Sequence, residues 1–200
     1  LVTGVQTCAL PICTQTVFGM GPAPSAAGQP PRVDWLIVGE APGENEDKQG
    51  EPFVGQAGKL LDNMLKTVGL SRSGQGEYAG RALQGAYIAN VIPWRPPGNR
   101  TPTPQETQIC LPFIQRQIEL VNPDVLVTLG NPSTQALLGT REGIMRTRGR
   151  WLDYDTGTRV IRAIATFHPA YLLRSPSYKR MSWQDLRAIA KVLGQGSASA

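Results

Sequence analysis

Four short apolar runs, separated by longer stretches of helical period, are what most constrain this chain. Val33 to Val38, Ala86 to Ile92, Val125 to Leu129 and Val160 to Thr166 are each of strand length and mainly apolar, as strands buried on both faces of a sheet are. Between the first two, Leu60, Leu61, Met64, Leu65 and Val68 fall at helical spacing, predicting a helix over Lys59 to Val68 with Gly69 to end it. Thr103-Pro104-Gln105-Glu106 is a helix start: threonine caps, proline suits the first turn, and glutamate three residues on closes a capping box. That helix should run through Ile109, Phe113 and Ile118 to Val121. Asn131-Pro132 opens a shorter helix that Gly139 stops, and Ser182 to Leu193 forms a last amphipathic helix closed by Gly194. Strands alternating with helices predict an α/β fold, a three-layer α/β/α sandwich around a central four-stranded parallel sheet.

The 200 residues suit one domain, expected over residues 14–194. Residues 1–13 read as translated adapter sequence rather than native protein, and residues 195–200 as a flexible tail. Pro22 to Pro31 and the glycine-rich Ser71 to Gly85 read as loops. No apolar stretch approaches the ~18 residues that span a membrane, and no secretory start is visible, so a cytoplasmic protein is expected. Three cysteines, Cys8, Cys13 and Cys110, make no disulfide framework and fit a reducing compartment. The net charge of +5 is unevenly placed: Asp34 to Glu51 holds six acids against one base, Arg141 to Arg180 nine bases against three acids. A basic half beside an acidic pocket suits a polyanion that reacts at a carboxylate-bearing site.

In open α/β sheets, ligands collect beyond the carboxyl ends of the strands. Those ends deliver Glu40 and the turn as far as Asp47, then Asn90, then Gly130 and Asn131, and finally His168, the only histidine in the chain. An acid, an amide and an imidazole converging on one cleft suit polar recognition of a small planar group combined with water activation.

With these residues in place, Gly39-Glu-Ala-Pro-Gly43, Glu46-Asp47, Gly50-Glu-Pro-Phe-Val-Gly55, Tyr87-Ile-Ala-Asn90, Arg95-Pro-Pro-Gly-Asn-Arg100 and His168-Pro-Ala-Tyr-Leu-Leu173 follow one another in order. The set resembles the family 4 (bacterial and archaeal) uracil-DNA glycosylases over Thr14 to Leu193. The resemblance implies hydrolysis of the N-glycosidic bond of a flipped-out deoxyuridine, releasing uracil and leaving an abasic site for downstream repair enzymes. It implies Phe53 as the stacking residue, Asn90 as the uracil reader, and Gly39 and Ala41 as pocket walls. His168 would stabilise the departing uracil anion from either a neutral or a charged ring. Glu46, and second to it Glu40, would orient the attacking water or stabilise the sugar cation; family 1 enzymes carry an aspartate where this chain has Ala41. Leu172 and Leu173 would form an apolar tip entering the base stack, with Arg174 on a phosphate. Arg95 and Arg100, and also Arg146, Arg148 and Lys179, are candidate backbone contacts. A monomer needing no diffusible cofactor is expected.

Many family 4 members hold a [4Fe–4S] cluster on four cysteines. This chain matches the fourth, Cys110, has Trp94 at the third, and would place the first pair near Gly4 and Thr7, with Cys8 out of register. Four thiolates are the usual requirement, so a branch without the cluster is expected, with Trp94 packed in its place and Cys110 unligated. Two alternatives remain. A relative trapped covalently through a histidine on an inserted loop is disfavoured, because no histidine follows Arg100 before His168. A non-catalytic DNA-binding module of the same fold would have no need of Phe53, Asn90 and His168 together.

Overall fold

The computed structural model describes residues 13–22, 33–78 and 80–196. The expectations for residues 1–12, for Cys8, for most of the Pro22–Pro31 segment and for residues 197–200 lie outside them. In chain order the elements are β1 (Trp35–Gly39), α1 (Glu44–Gln49), α2 (Gln56–Thr67), β2 (Leu70–Ser71), β3 (Glu77–Tyr78), β4 (Arg81–Ala82), β5 (Gln84–Asn90), α3 (Pro104–Val121), β6 (Val125–Leu129), α4 (Asn131–Leu138), α5 (Ile144–Thr147), β7 (Trp151–Asp155), β8 (Val160–Thr166), α6 (Pro169–Arg174) and α7 (Lys179–Gly196).

The main sheet has six strands in the order β2-β5-β1-β6-β8-β7, not four. The four apolar runs are its centre, β5, β1, β6 and β8, all parallel. The two additions are edge strands, whose chemistry does not advertise them. β2 pairs through two residues only, parallel to β5. β7 runs antiparallel to β8 and buries just Tyr154, so Trp-Leu-Asp-Tyr-Asp carries no continuous apolar run. The Ser71–Gly85 segment is likewise not all loop, since β3 and β4 pair as a short hairpin inside it.

β1 shows why the sheet is sandwiched. All five of its residues are buried, and alternation sends successive side chains to opposite faces. Leu36 and Val38 join a core with Cys110, Ile114 and Ile118 of α3 and Leu137 of α4. Trp35 and Ile37 join the other core, with Leu61 and Leu65 of α2 and Leu186 and Ile189 of α7. Helices therefore cover both faces, as predicted.

Local signals place most helix ends. Glu106 N donates to Thr103 Oγ1 at 3.2 Å while Thr103 N donates to Glu106 Oε2 at 2.8 Å, closing the capping box. α4 stops at Gly139, whose φ of 63° is left-handed. α2 begins a turn earlier than its apolar spacing indicates, because Gly55 and Gln56 carry no apolar signal. α7 passes Gly194 and continues to Gly196; an isolated glycine in a helix costs only about 1 kcal/mol. Thr103→Ala should lower the unfolding free energy by about 1 kcal/mol, seen as a lower urea midpoint at unchanged slope. An unmoved midpoint would show that the cap contributes nothing to α3.

Candidate active site

Sheet register assembles the site. Gly39, last in β1, is paired with Asn90, last in β5. Leu129, last in β6, is paired with Thr166, last in β8, and His168 follows two residues later. The predicted polar residues therefore emerge along one edge of the sheet. There, a cavity of about 230 Å³ is lined by Ala41, Gly43, Glu46, Phe53, Ala57, Asn90, His168 and Ala170.

Asn90 is 4% exposed, and its Oδ1 has no hydrogen-bond partner among the described residues. A buried amide oxygen left unpaired is costly and marks a place for a ligand donor. Gly39 makes this arrangement possible: a Cβ there would lie 2.5 Å from both Asn90 Oδ1 and Phe53 Cζ. Phe53 is buried, and its ring stacks on that of His168 with centroids 5.4 Å apart and planes 29° apart.

Phe53 holds a left-handed backbone, φ 57°, a conformation that costs a side-chain-bearing residue roughly 1–2 kcal/mol. Its neighbours fix it there. Glu46 Oε1 accepts from Val54 N at 3.0 Å and Gly55 N at 3.1 Å, while Oε2 accepts from Gly43 N at 3.2 Å. Arg72 donates to the carbonyls of Pro52 and Phe53 and pairs with Asp62 at 2.6 Å. Gly58 lets the Phe53 carbonyl pack onto α2, since a Cβ would meet that oxygen at 1.6 Å. Sequence reasoning missed Arg72 and Gly58. One sits in a polar, glycine-rich stretch and the other inside a helix, and neither position signals a contact with the Phe53 loop.

Asp47, in the same short helix as Glu46, is buried and anchors the start of the described chain. Its Oδ1 accepts from Thr14 N at 2.8 Å, and Gln15 Nε2 donates to its carbonyl at 2.8 Å.

His168 caps α6: its Nδ1 accepts from Ala170 N at 3.1 Å. In the neutral ring the proton must then sit on Nε2, leaving that atom as a donor. Burial, aided by the nearby Arg174 charge and opposed by Glu46, lowers the pKa of His168 to about 4. The ring is therefore uncharged at neutral pH, a choice the sequence left open.

Glu40 does not line this cavity. It borders a neighbouring one of about 150 Å³, with Pro42, Pro96 and Arg100, that shares the walls Ala41 and Gly43. Its Oε1 is buried without a partner among the described residues, and burial raises its pKa above the ordinary carboxylate value.

The residues expected on DNA divide. Leu172 is fully buried and cannot form an exposed tip, whereas Leu173 is 42% exposed. Arg174 is exposed on the same short helix. Arg95 donates to Asn99 Oδ1 at 2.8 Å, and Arg100 binds both oxygens of Glu106 at 2.7 and 2.8 Å. Arg148 is committed inward: its Nε donates to the buried Asp185 at 3.1 Å and its guanidinium lies over Phe167. Arg146 and Lys179 are exposed.

Among the described residues the donor set does not fit an iron–sulfur cluster. Cys110 is fully buried in the α3 core, with Trp94 in the same apolar cluster. Trp94 Nε1 donates to Thr16 Oγ1 at 3.1 Å, so the indole packs against the segment that follows Cys13. Among the described residues no three His, Cys, Asp or Glu side chains are grouped to hold a metal.

Residues 26–187 match the Uracil DNA glycosylase superfamily. A Type-4 uracil-DNA glycosylase of Thermotoga maritima is 45% identical over 154 residues, 76% of this chain and 73% of that protein. One from Archaeoglobus fulgidus is 36% identical over 168 residues, 82% of this chain and 79% of its own. A Type-5 uracil-DNA glycosylase of Pyrobaculum aerophilum is 25% identical over 172 residues, 82% of this chain and 71% of its own.

With one histidine in the chain, its ring protons can be followed by NMR without assignment ambiguity. The folded midpoint should fall near pH 4 rather than 6.5. Because the folded value lies below the unfolded one, protonation favours the unfolded chain. The stability held by the neutral ring is complete above pH 6.5 and is lost as pH falls towards 4. A folded midpoint near 6.5 would mean the ring is solvated and the cavity open.

Proposed function

This chain belongs to the uracil DNA glycosylase superfamily, and we propose that it excises uracil from DNA by hydrolysing the N-glycosidic bond. The observation that carries this reading is one cavity bordered by an unpartnered asparagine oxygen, an aromatic face and a neutral imidazole with its Nε2–H available.

The deoxyuridine leaves the stack and enters that cavity. Phe53 offers its face to the ring. Asn90 accepts from N3–H and donates to O4, and cytosine inverts both demands. As the bond breaks, negative charge grows on uracil and positive charge on the sugar. The Nε2–H of His168 donates to O2 and strengthens as that charge develops, and as a neutral donor it needs no proton transfer.

The water falls to Glu40 rather than Glu46, reversing the order suggested by resemblance. Both oxygens of Glu46 accept backbone N–H groups, so its work is to hold the Phe53 loop. Glu40 keeps an oxygen without a partner among the described residues next to the cavity, and its raised pKa makes it a stronger base than an ordinary carboxylate. Leu173 enters the gap left by the flipped base, with Arg174 on a flanking phosphate; Arg95 and Arg100 reach phosphates only by exchanging Glu44 and Glu106 for them. The enzyme acts as a monomer in the cytoplasm without a cofactor, and the abasic site passes to enzymes that cleave there. Among the described residues no helix is long and apolar enough to cross a membrane.

We also infer that the chain carries no iron–sulfur cluster, with Trp94 occupying that part of the core. Visible absorbance near 400 nm, roughly where thiolate-bound clusters absorb, together with stoichiometric iron in the purified protein would overturn this.

The function is tested with an end-labelled oligonucleotide bearing one uracil, treated with alkali after incubation. Cleavage at the uracil is expected. His168→Ala should slow it about 10²–10³-fold, and Glu40→Gln about 10²–10⁴-fold. Binding without base release would refute the glycosylase reading, and full activity of Glu40→Gln would return the water to another group.

A further inference from the structure

A second surface lies on the α2–α7 layer, away from the base cavity. A groove of about 760 Å³ runs between the end of α2, the β3–β4 hairpin and α7. It meets a smaller recess of about 240 Å³, with Thr67 and Trp183 lining both. Leu60, Met64, Leu172 and Leu186 make the recess apolar, and Lys179 stands at its rim.

Three features define its chemistry. Lys66, Arg187 and Lys191 line the larger groove, and no acidic side chain lines either part among the described residues. None of these three cations has an ion-pair partner among the described residues. Two large aromatics face the same space while remaining open to solvent, Tyr78 at 46% and Trp183 at 38% exposed. One buried residue links the recess to the helix of the reacting face. Leu172, which lines the recess, belongs to α6, the short helix that His168 caps and that presents Leu173 and Arg174.

We propose that this groove binds single-stranded DNA flanking the uracil. Cations tracking the backbone, with aromatic faces for the bases between them, are what sequence-independent binding of a single strand requires. The apolar recess takes an unstacked base, and Lys179 to Lys191 spans about 18 Å along α7, enough for about five nucleotides at the 3.4 Å spacing of a stacked strand. A duplex cannot use these aromatic faces, because its bases are already stacked and paired and present no free face to Tyr78 or Trp183. The site therefore favours uracil in single-stranded or locally opened DNA. The proposal rests on the glycosylase reading for its biological sense but not for its test.

Fluorescence anisotropy with a uracil-free oligothymidylate, longer than the ~16 nucleotides such sites cover, measures the groove without any excision. The double variant Arg187→Gln/Lys191→Gln should make the dependence of log affinity on log salt shallower by about 1.4, a loss of roughly 25-fold at about 0.1 M salt. Tyr78→Ala, at an exposed hairpin position, should weaken binding about fivefold or more. With a uracil-bearing single strand the variants should raise KM and leave kcat alone, while excision from duplex stays within about twofold. Unchanged oligothymidylate affinity would overturn the proposal, as would equal losses on duplex and single strand. So would binding of a polyglutamate peptide in preference to oligothymidylate, which would make the groove a protein dock. If the variants weaken oligothymidylate binding as stated but the unmodified protein releases no uracil, the glycosylase reading fails and the single-strand site stands.

Discussion

Parallel pairing in register is the constraint on which the rest of this molecule depends. With Gly39 beside Asn90 and Leu129 beside Thr166, four strands end along one edge, and three of them, β1, β5 and β8, deliver side chains to a common cleft. Parallel strands require a crossover between each pair, and those crossovers supply the helices that bury both faces. Each side chain of the cleft therefore rests on the two hydrophobic cores beneath it. Moving β1 by a single residue would turn Leu36 and Val38 to the wrong core and take Gly39 away from Asn90.

The cleft itself is held by backbone hydrogen bonds. Glu46 joins the turn after β1 to the loop carrying Phe53, and Arg72 holds the same loop from the other side. A phenylalanine in a left-handed conformation persists only where its surroundings over-determine it, and here a carboxylate, a guanidinium and the close approach at Gly58 do so. The result is an aromatic ring fixed between Gly39 and His168. The imidazole is fixed in turn by Ala170 N–H, which settles its tautomer, while burial settles its charge.

The described chain begins against the same structure. Thr14 and Gln15 bind Asp47, Thr16 binds the Trp94 indole, and Val17 N donates to the Pro93 carbonyl at 2.8 Å. Hydrogen bonds to the Asp47 carboxylate and to backbone carbonyls, together with an indole, thus tie residues 14–17 to α1 and to the segment after β5. Since α1 carries Glu46, this attachment supports the base cavity indirectly. It gives Trp94 a structural purpose in a fold whose relatives can use thiolate ligands.

Much of this was legible in the chain alone. The four central strands could be read because burial on both faces demands continuous apolar runs, and the α3 start because its cap is local chemistry between Thr103 and Glu106. The polar residues of the cleft followed from the position of strand ends, and their resemblance to a known family supplied the reaction. Edge strands β2 and β7 were not legible, because an edge needs few apolar residues. Nor could sequence separate Leu172, buried beneath α6, from Leu173, exposed on it, since neighbours in one apolar tip differ only in the direction of their side chains. Arg148 looked like any surface cation until Asp185 was placed beside it by a chain separation of 37 residues. The sequence by itself determined the layers, the order of the elements and the chemical character of the cleft, because these depend on local period and residue type. Only the tertiary structure decided the charge of His168, the commitment of both Glu46 oxygens to backbone N–H groups and the opening along α7, because each depends on which distant groups desolvate or bind one another.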